Sequence, residues 1–289
     1  MGDVICGSDA IAAETVTRAQ LRWNYRALYP DIYLPRTVEP TLAHRTAGAW
    51  LWSRRRGVIT GRAAAAMHGA KWVVDTTPIE VLWSNNRSPQ DIIARRDRIS
   101  ADEITRVGGI SVATPARTAL DLGRYLPRAE AVARLDALAQ ATGVAADDIL
   151  ELTQRYPGTH GVRRCREAVS LMDAGAQSPQ ETRLRLLLVD KGYPRPRTQI
   201  PMLDQYGYPF AYLDMGWRDM TIAVEYDGEH HRTNTKQYRW DAKRLRKIIA
   251  MGWIHIRVIA GDRDDDIMAR VKSAWAQRER EATAVKLPA

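Results

Sequence analysis

The segment from Met220 to Asp227 places two carboxylates on one side of an otherwise apolar strand. Side chains alternate along a strand with period two, so Ala223, Glu225 and Asp227 share one face while Ile222, Val224 and Tyr226 share the other. Asp214 closes the preceding apolar stretch and lies beside them if the two strands are neighbours. Acids gathered on an apolar sheet repel one another and lose hydration, so such a cluster is costly without a cation. Oxygen ligands of this kind suit Mg²⁺ or Mn²⁺. The pattern demands a sheet with one partly polar face, and it makes metal-dependent phosphodiester hydrolysis the expected chemistry.

Basic residues follow the acids. Between Glu229 and Arg257 stand eight Lys or Arg (Arg232, Lys236, Arg239, Lys243, Arg244, Arg246, Lys247, Arg257) against two acids, Glu229 and Asp241. Arg239, Lys243 and Arg246 recur at i, i+4, i+7 along one helix face, with Leu245, Ile248 and Ile249 expected to pack inward. A charged helix face is commonly just solvated, but next to strand acids it also fits a phosphate clamp. The net charge of +9 over 289 residues favours a polyanionic partner. With 45% hydrophobic and 27% charged residues the chain is of ordinary globular composition, long enough for two domains. No apolar stretch approaches the roughly 20 residues that span a bilayer, and the N-terminus lacks a signal-peptide core, so a cytoplasmic protein without membrane association is expected. Cys6 and Cys165 are too few and too far apart for a disulfide framework or a zinc site.

The first ten residues show no periodic pattern and read as frayed. Helical spacing covers residues 17–28, with Arg18, Arg22 and Arg26 at i, i+4, i+8. Further helices are expected over 40–52 and 62–68, and short strands over 32–34 and 79–83. Thr114 followed by Pro115 marks a helix start, and an Ala- and Leu-rich helix is expected over about 129–141. Residues 173–177 form the best boundary. Immediately after it, Ser178-Pro179-Gln180-Glu181 has the form of a capping box with proline at the first helical position. The helix it opens ends at Gly192. Strands are then predicted over 198–203, 209–215 and 220–227, a helix over about 236–251, a strand over 253–259 and a last helix over about 264–281.

Asp214, the run Val224-Glu225-Tyr226-Asp227-Gly228, His230-His231, Asp241 with Arg244, Gly252-Trp253 and Arg257 together resemble the very-short-patch-repair-like (Vsr-like) endonuclease domain. That domain is a branch of the PD-(D/E)XK, restriction-endonuclease-like fold, and the resemblance spans about residues 178–260. It implies an α/β/α domain with a central mixed sheet over 178–289. It also implies Mg²⁺ (or Mn²⁺) held by Glu181, Asp214 and Glu225; Asp227 is either a further ligand or leaves water activation to another group. The chain departs from the family where a Lys usually stands two residues after the second acid, because Asp227 occupies that place. His230, His231 and then Lys243 are the candidates to activate water, and Arg232, Lys236, Arg239, Lys243 and Arg246 those to hold the nucleic-acid backbone. Glu181 has a second reading as the closing acid of its own capping box, and Glu225 and Asp227 as partners of Arg244 or Arg257.

In the first part, helices followed by Ile79-Glu80-Val81 and by Thr114-Pro115-Ala116-Arg117-Thr118-Ala119-Leu120-Asp121 are similar to the AbiEi-type antitoxin of type IV toxin–antitoxin systems, over about residues 14–125. That resemblance implies a winged-helix DNA-binding region over 1–80 and a mixed α/β connecting region over 81–175. Arg18, Arg22 and Arg26, with Arg54-Arg55-Arg56, would then contact phosphate. The expected class is α/β and α+β: a winged-helix-containing mixed region followed by a restriction-endonuclease-like domain. The expected function is Mg²⁺-dependent cleavage of DNA, in repair, phage defence or a toxin–antitoxin setting. The alternative, favoured by the missing Lys, is a catalytically inactive nuclease-fold DNA-binding regulator. DNA is the expected partner, with a homodimer and a toxin–antitoxin partner protein left open.

Overall fold

The computed structural model describes residues 3–84, 87–228 and 235–286, with backbone alone for 235–239 and 285–286. The chain divides into two compact units, Met1–Ala174 and Gly175–Ala289. Both are mixed α/β, the class that the periodicities predict.

The first unit begins with β1 (Ile5–Cys6), α1 (Gly7–Ala12), α2 (Arg18–Asn24), the hairpin β2 (Tyr25–Tyr29) and β3 (Ile32–Pro35), and α3 (Leu42–Trp52). The N-terminal residues expected to fray instead pair with β3, Ile5 opposite Tyr33. Thr17 caps α2 through a reciprocal capping box with Gln20. The helix expected to reach residue 28 stops at Asn24, because Tyr25 and Ala27 pair with Pro35 and Tyr33 across the hairpin. Tertiary pairing here overrides helical spacing. Arg26 is thereby removed from the stripe of Arg18 and Arg22. Its guanidinium donates to the carbonyls of Arg36 and Val38, each at 2.9 Å, and bonds Glu39 at 3.1 Å.

A five-stranded sheet follows, made of β4 (Val58–Thr60), β5 (Ile79–Leu82), β6 (Ile92–Arg95), β7 (Ile104–Val107) and β8 (Ile110–Ala113), with α4 (Gly61–Met67) after the first. Its strand order is β6-β5-β4-β8-β7. Ile32 and Leu34 of the hairpin share one apolar cluster with Ile59, Ile79, Val81 and Val112 of this sheet. Residue 80 therefore lies inside a strand of a continuous core. Helices α5 (Pro115–Tyr125), α6 (Arg128–Thr142), α7 (Ala146–Gln154) and α8 (Val162–Ser170) complete the unit.

Here the Thr-Pro-x-Arg-Thr-x-x-Asp element finds its structural use. Thr114 caps α5, and Arg117, fully buried, donates to Asp121 at 3.1 Å, Glu103 at 2.7 Å and the Tyr156 hydroxyl at 3.1 Å. Burial opposes the charge on Arg117, but Asp121 and Glu103 outweigh it and raise its pKa. Asp121 also accepts from Thr60 at 2.7 Å and Arg124 at 3.2 Å, tying α5 to β4. A buried charge needs such partners, and this one has them.

The second unit opens with α9 (Pro179–Asp190), then β9 (Arg197–Leu203), β10 (Pro209–Trp217), β11 (Ile222–Asp227), α10 (Thr235–Ala250), β12 (Ile254–Ile259) and α11 (Asp264–Lys286). The sheet order is β12-β11-β10-β9, antiparallel except for the parallel β11–β12 pair. Ile222 and Val224 pack with Leu184 and Leu188 of α9 and Ile267 and Val271 of α11. Ala223, between them, packs with Ile248 of α10 and with Ile200, Met202 and Leu213. One strand thus serves two helical layers on opposite faces, and period two sends Glu225 to the α10 side with Ala223. Trp217, Trp275 and Tyr193 close the other side, with ring centroids 5.0 to 5.9 Å apart. Ile249, expected to pack inward on α10, is 55% exposed, because the inward line passes through Ile248.

Candidate functional site

Asp214 and Glu225 sit at the next cross-strand position beyond Met215↔Val224, the last pair in register between β10 and β11. Glu181, from the first turn of α9, joins them. Burial, then the charges of Glu181 and Glu225, push Asp214 from its ordinary 3.8 up to about 7. The backbone N–H of Tyr226 donates to Asp214 at 2.9 Å and opposes that rise only in part. Glu181 is also raised, chiefly by burial, with the Gln177 and Ser178 hydrogen bonds opposing and Glu225 adding to it. Three carboxylates therefore feel one another in a desolvated pocket, the situation in which at least one prefers to stay protonated.

Glu225 behaves in the opposite way. Burial alone would raise it, yet His255 and Arg244 hold it below the usual carboxylate range. His255 Nε2 lies 2.5 Å from one carboxylate oxygen. The Arg244 guanidinium donates to the two oxygens at 2.6 and 3.1 Å, and to the Tyr212 carbonyl at 2.7 Å. A bidentate guanidinium in a fixed fork is among the strongest partners a carboxylate has. Glu225 thus points into the acid group while its own charge is already neutralised.

Asp227, expected with Asp214 and Glu225, is held elsewhere: the Arg257 side chain bonds its carboxylate, two residues further along β11. The sheet pairs β11 with β12 in parallel, which brings Arg257 alongside Glu225 and His255 alongside Ala223. Glu181 closes its cap in a modified form. It accepts from the Ser178 hydroxyl at 2.9 Å and from the backbone N–H of Gln177 at 2.9 Å. The acids that meet are therefore Glu181, Asp214 and Glu225. Among the described residues, no group of three or more His, Cys, Asp or Glu side chains is arranged to hold a metal ion. The donor set fits a divalent cation poorly in this arrangement, since both oxygens of Glu225 already carry donors.

His230, His231 and Arg232 lie outside the described residues, as do the side chains of Lys236 and Arg239, whose backbone belongs to α10. Lys243 and Arg246 are exposed on that helix. Arg18 and Arg22 are exposed on α2, whereas Arg26 is turned to the chain after the hairpin. Arg54, Arg55 and Arg56 are exposed beyond α3, the first two with φ of +55° and +62°. His255 was absent from the expected site. Its only sequence signal is a polar residue in an apolar strand, and it becomes a partner of Glu225 through the parallel pairing of β12. Among the described residues no helix is long and apolar enough to cross a membrane.

Residues 53–172 match the family model described as the AbiEi antitoxin C-terminal domain. This supports the antitoxin-like resemblance and shifts it along the chain, from residues 14–125 to the five-stranded sheet and α5 to α8. Two curated proteins of Mycobacterium tuberculosis strains, "Uncharacterized protein MT2308" and "Uncharacterized protein Rv2248", are each 28% identical over 225 residues. The aligned stretch covers 78% of this chain and 82% of each relative. No solved structure matches the chain.

Proposed function

We propose that this protein is a DNA-binding regulator of the antitoxin type, whose second unit keeps a nuclease-like acid group without using it for cleavage. The observation that carries the reading is the antitoxin-domain match over residues 53–172. Ahead of that stretch stand α1, α2, the β2–β3 hairpin within a three-stranded sheet, and α3, an order that supports reading this region as a winged-helix-like module. Exposed Arg18 and Arg22 on α2 would give that module phosphate contacts. The silence of the second unit rests on Glu225, whose carboxylate is occupied by Arg244 and His255. The missing Lys after Glu225 agrees with it. A toxin encoded beside this chain would be the partner protein.

Two measurements test this. Duplex DNA binding, followed by fluorescence anisotropy at graded salt, should weaken in Arg18→Ala plus Arg22→Ala with a shallower salt slope, by about 0.9 per lost contact. Expression of the neighbouring coding sequence should slow growth, and co-expression of this chain should relieve it. Unchanged DNA affinity in the double variant, together with no relief of growth, would overturn the reading.

Metal-dependent hydrolysis is a second reading, favoured by one observation: Glu181, Asp214 and Glu225 converge, and Asp214 is raised to about 7. A cation would relieve that repulsion. It requires Arg244 and His255 to give up Glu225. Saturable Mn²⁺ binding that Glu225→Gln abolishes, with Mn²⁺-dependent nicking of supercoiled plasmid, would move the assignment to this reading.

A further inference from the structure

On the second unit, the turn between β9 and β10 and the outer side of α10 carry aromatic rings and free cations together. Tyr206 and Tyr208 are 76% and 69% exposed, and Trp240 is 52% exposed. Exposed apolar side chains gathered in one patch, rather than scattered singly, are the kind of surface that takes a partner. A cavity of about 650 Å³ is lined by Leu203, Tyr206, Phe210, Lys247 and Met251, among others. A second, of about 150 Å³, is lined by Phe210, Trp240, Lys243, Arg244 and Lys247. Phe210 and Lys247 line both, so the two adjoin there, where the Lys247 ammonium sits 5.0 Å from the Phe210 ring. Neither Lys243 nor Lys247 has a carboxylate partner among the described residues.

The turn is built to hold its rings. Asp204 accepts from the backbone N–H of Tyr206 at 2.9 Å and of Tyr208 at 3.0 Å, and its own N–H donates to the Tyr208 carbonyl at 2.8 Å. Asp204 also lines the larger cavity, where its one negative charge stands against Lys247 and, in the adjoining cavity, Lys243 and Arg244, so the trough carries net positive charge. Flat rings beside ammonium groups fit a chain that offers both bare π-faces and phosphates. A duplex hides its base faces in its own stack, whereas an unpaired strand presents them.

We propose that this trough binds single-stranded nucleic acid, with bases stacked on the exposed rings of Tyr206 and Trp240 and phosphates held by Lys243 and Lys247 beside Phe210. The site lies in the second unit and does not depend on duplex binding by the first. It is distinct from the acid group, although Arg244 touches both.

The test uses the full-length chain with a fluorescein-labelled oligo(dT) of about 20 nucleotides and a blunt duplex of the same length. Trp240→Ala and Tyr206→Ala should each weaken oligo(dT) binding about 10-fold, within the range of one lost base stack, and leave duplex binding within about twofold. Lys243→Ala plus Lys247→Ala should reduce the slope of log affinity against log salt by about 1.4, two single-strand phosphate contacts. These side chains are exposed, so far-UV circular dichroism and thermal midpoint should match the parent. Wild-type affinity for oligo(dT) in the aromatic variants would overturn the proposal, as would an equal loss for duplex. So would ring-dependent binding to anionic phosphatidylserine vesicles without any to oligo(dT). Duplex binding by the parent protein reads the function of the first unit separately, so either conclusion can fail alone.

Discussion

Replacing Asp214 by Asn isolates the energetic tension in the acid group. In the folded chain Asp214 titrates at about 7, against an ordinary 3.8. Folded-state proton affinity exceeds that of the unfolded chain, so this group's stabilising contribution is complete below about pH 4. It is lost as pH rises towards and through 7. Between pH 5 and pH 8, a folded value near 7 and an unfolded value near 3.8 give a loss of about 2.5 kcal/mol from Asp214 alone. Asn cannot ionise, yet its carbonyl oxygen can still accept the 2.9 Å bond from the Tyr226 N–H. The variant therefore keeps the geometry and loses the titration. Hydrogen exchange of peptides spanning 209–227 reads the opening free energy of the second unit without interference from the first. Plotted against pH, the difference between Asp214→Asn and parent should rise in the variant's favour by about 2.5 kcal/mol from pH 5 to pH 8. Comparing the two proteins cancels the titrations of groups remote from Asp214. Parallel curves would refute the reasoning, because they would mean that Asp214 is no more costly to ionise folded than unfolded.

Other outcomes follow from the same physics. Arg117→Ala leaves Glu103 and Asp121 buried without their cation and should cost about 3–5 kcal/mol in urea denaturation; a stability equal to the parent would show the network to be dispensable. Gly61 has φ of +61°, and a Cβ there would meet the Glu80 carboxyl carbon at 2.5 Å. Gly61→Ala should therefore destabilise the fold by at least the roughly 1–2 kcal/mol of left-handed strain and so lower the thermal midpoint, and an unchanged midpoint would contradict this. Arg244→Ala should raise the pKa of Glu225. The depressed value stabilises the fold above the ordinary carboxylate range, and that stability is lost as pH falls through the folded value. The deficit of Arg244→Ala against the parent, about 3 kcal/mol at pH 7, should hence shrink on acidification; a deficit independent of pH would argue against the pair.

Much of the architecture is legible from spacing and caps. Thr114-Pro115 and Ser178-Pro179 open helices where local chemistry demands it, because a side-chain oxygen and a ring lacking an N–H both suit a helix start. The alternation of Ile222, Ala223 and Val224 announces a strand covered on both faces, which is what α9, α11 and α10 provide. Failures arise where distant pairing competes with local pattern. Residues 25–28 carry helical spacing yet join β3, and Ile5 and Cys6 show no pattern because two residues are enough to complete a three-stranded sheet.

The sequence alone settles that Glu225 faces the same side as Ala223, that Asp214 precedes it by a strand length, and that Ser178 starts a helix bearing Glu181. Each of these follows from backbone periodicity and from bonds a few residues long. Which charges answer those acids was decided only by tertiary structure. A parallel β12 brings His255 and Arg257 to β11, and α10 folds Arg244 onto Glu225 from 19 residues away. The sign of an electrostatic interaction can be read from composition, but its magnitude falls with distance and grows with burial, and both are properties of the packed chain.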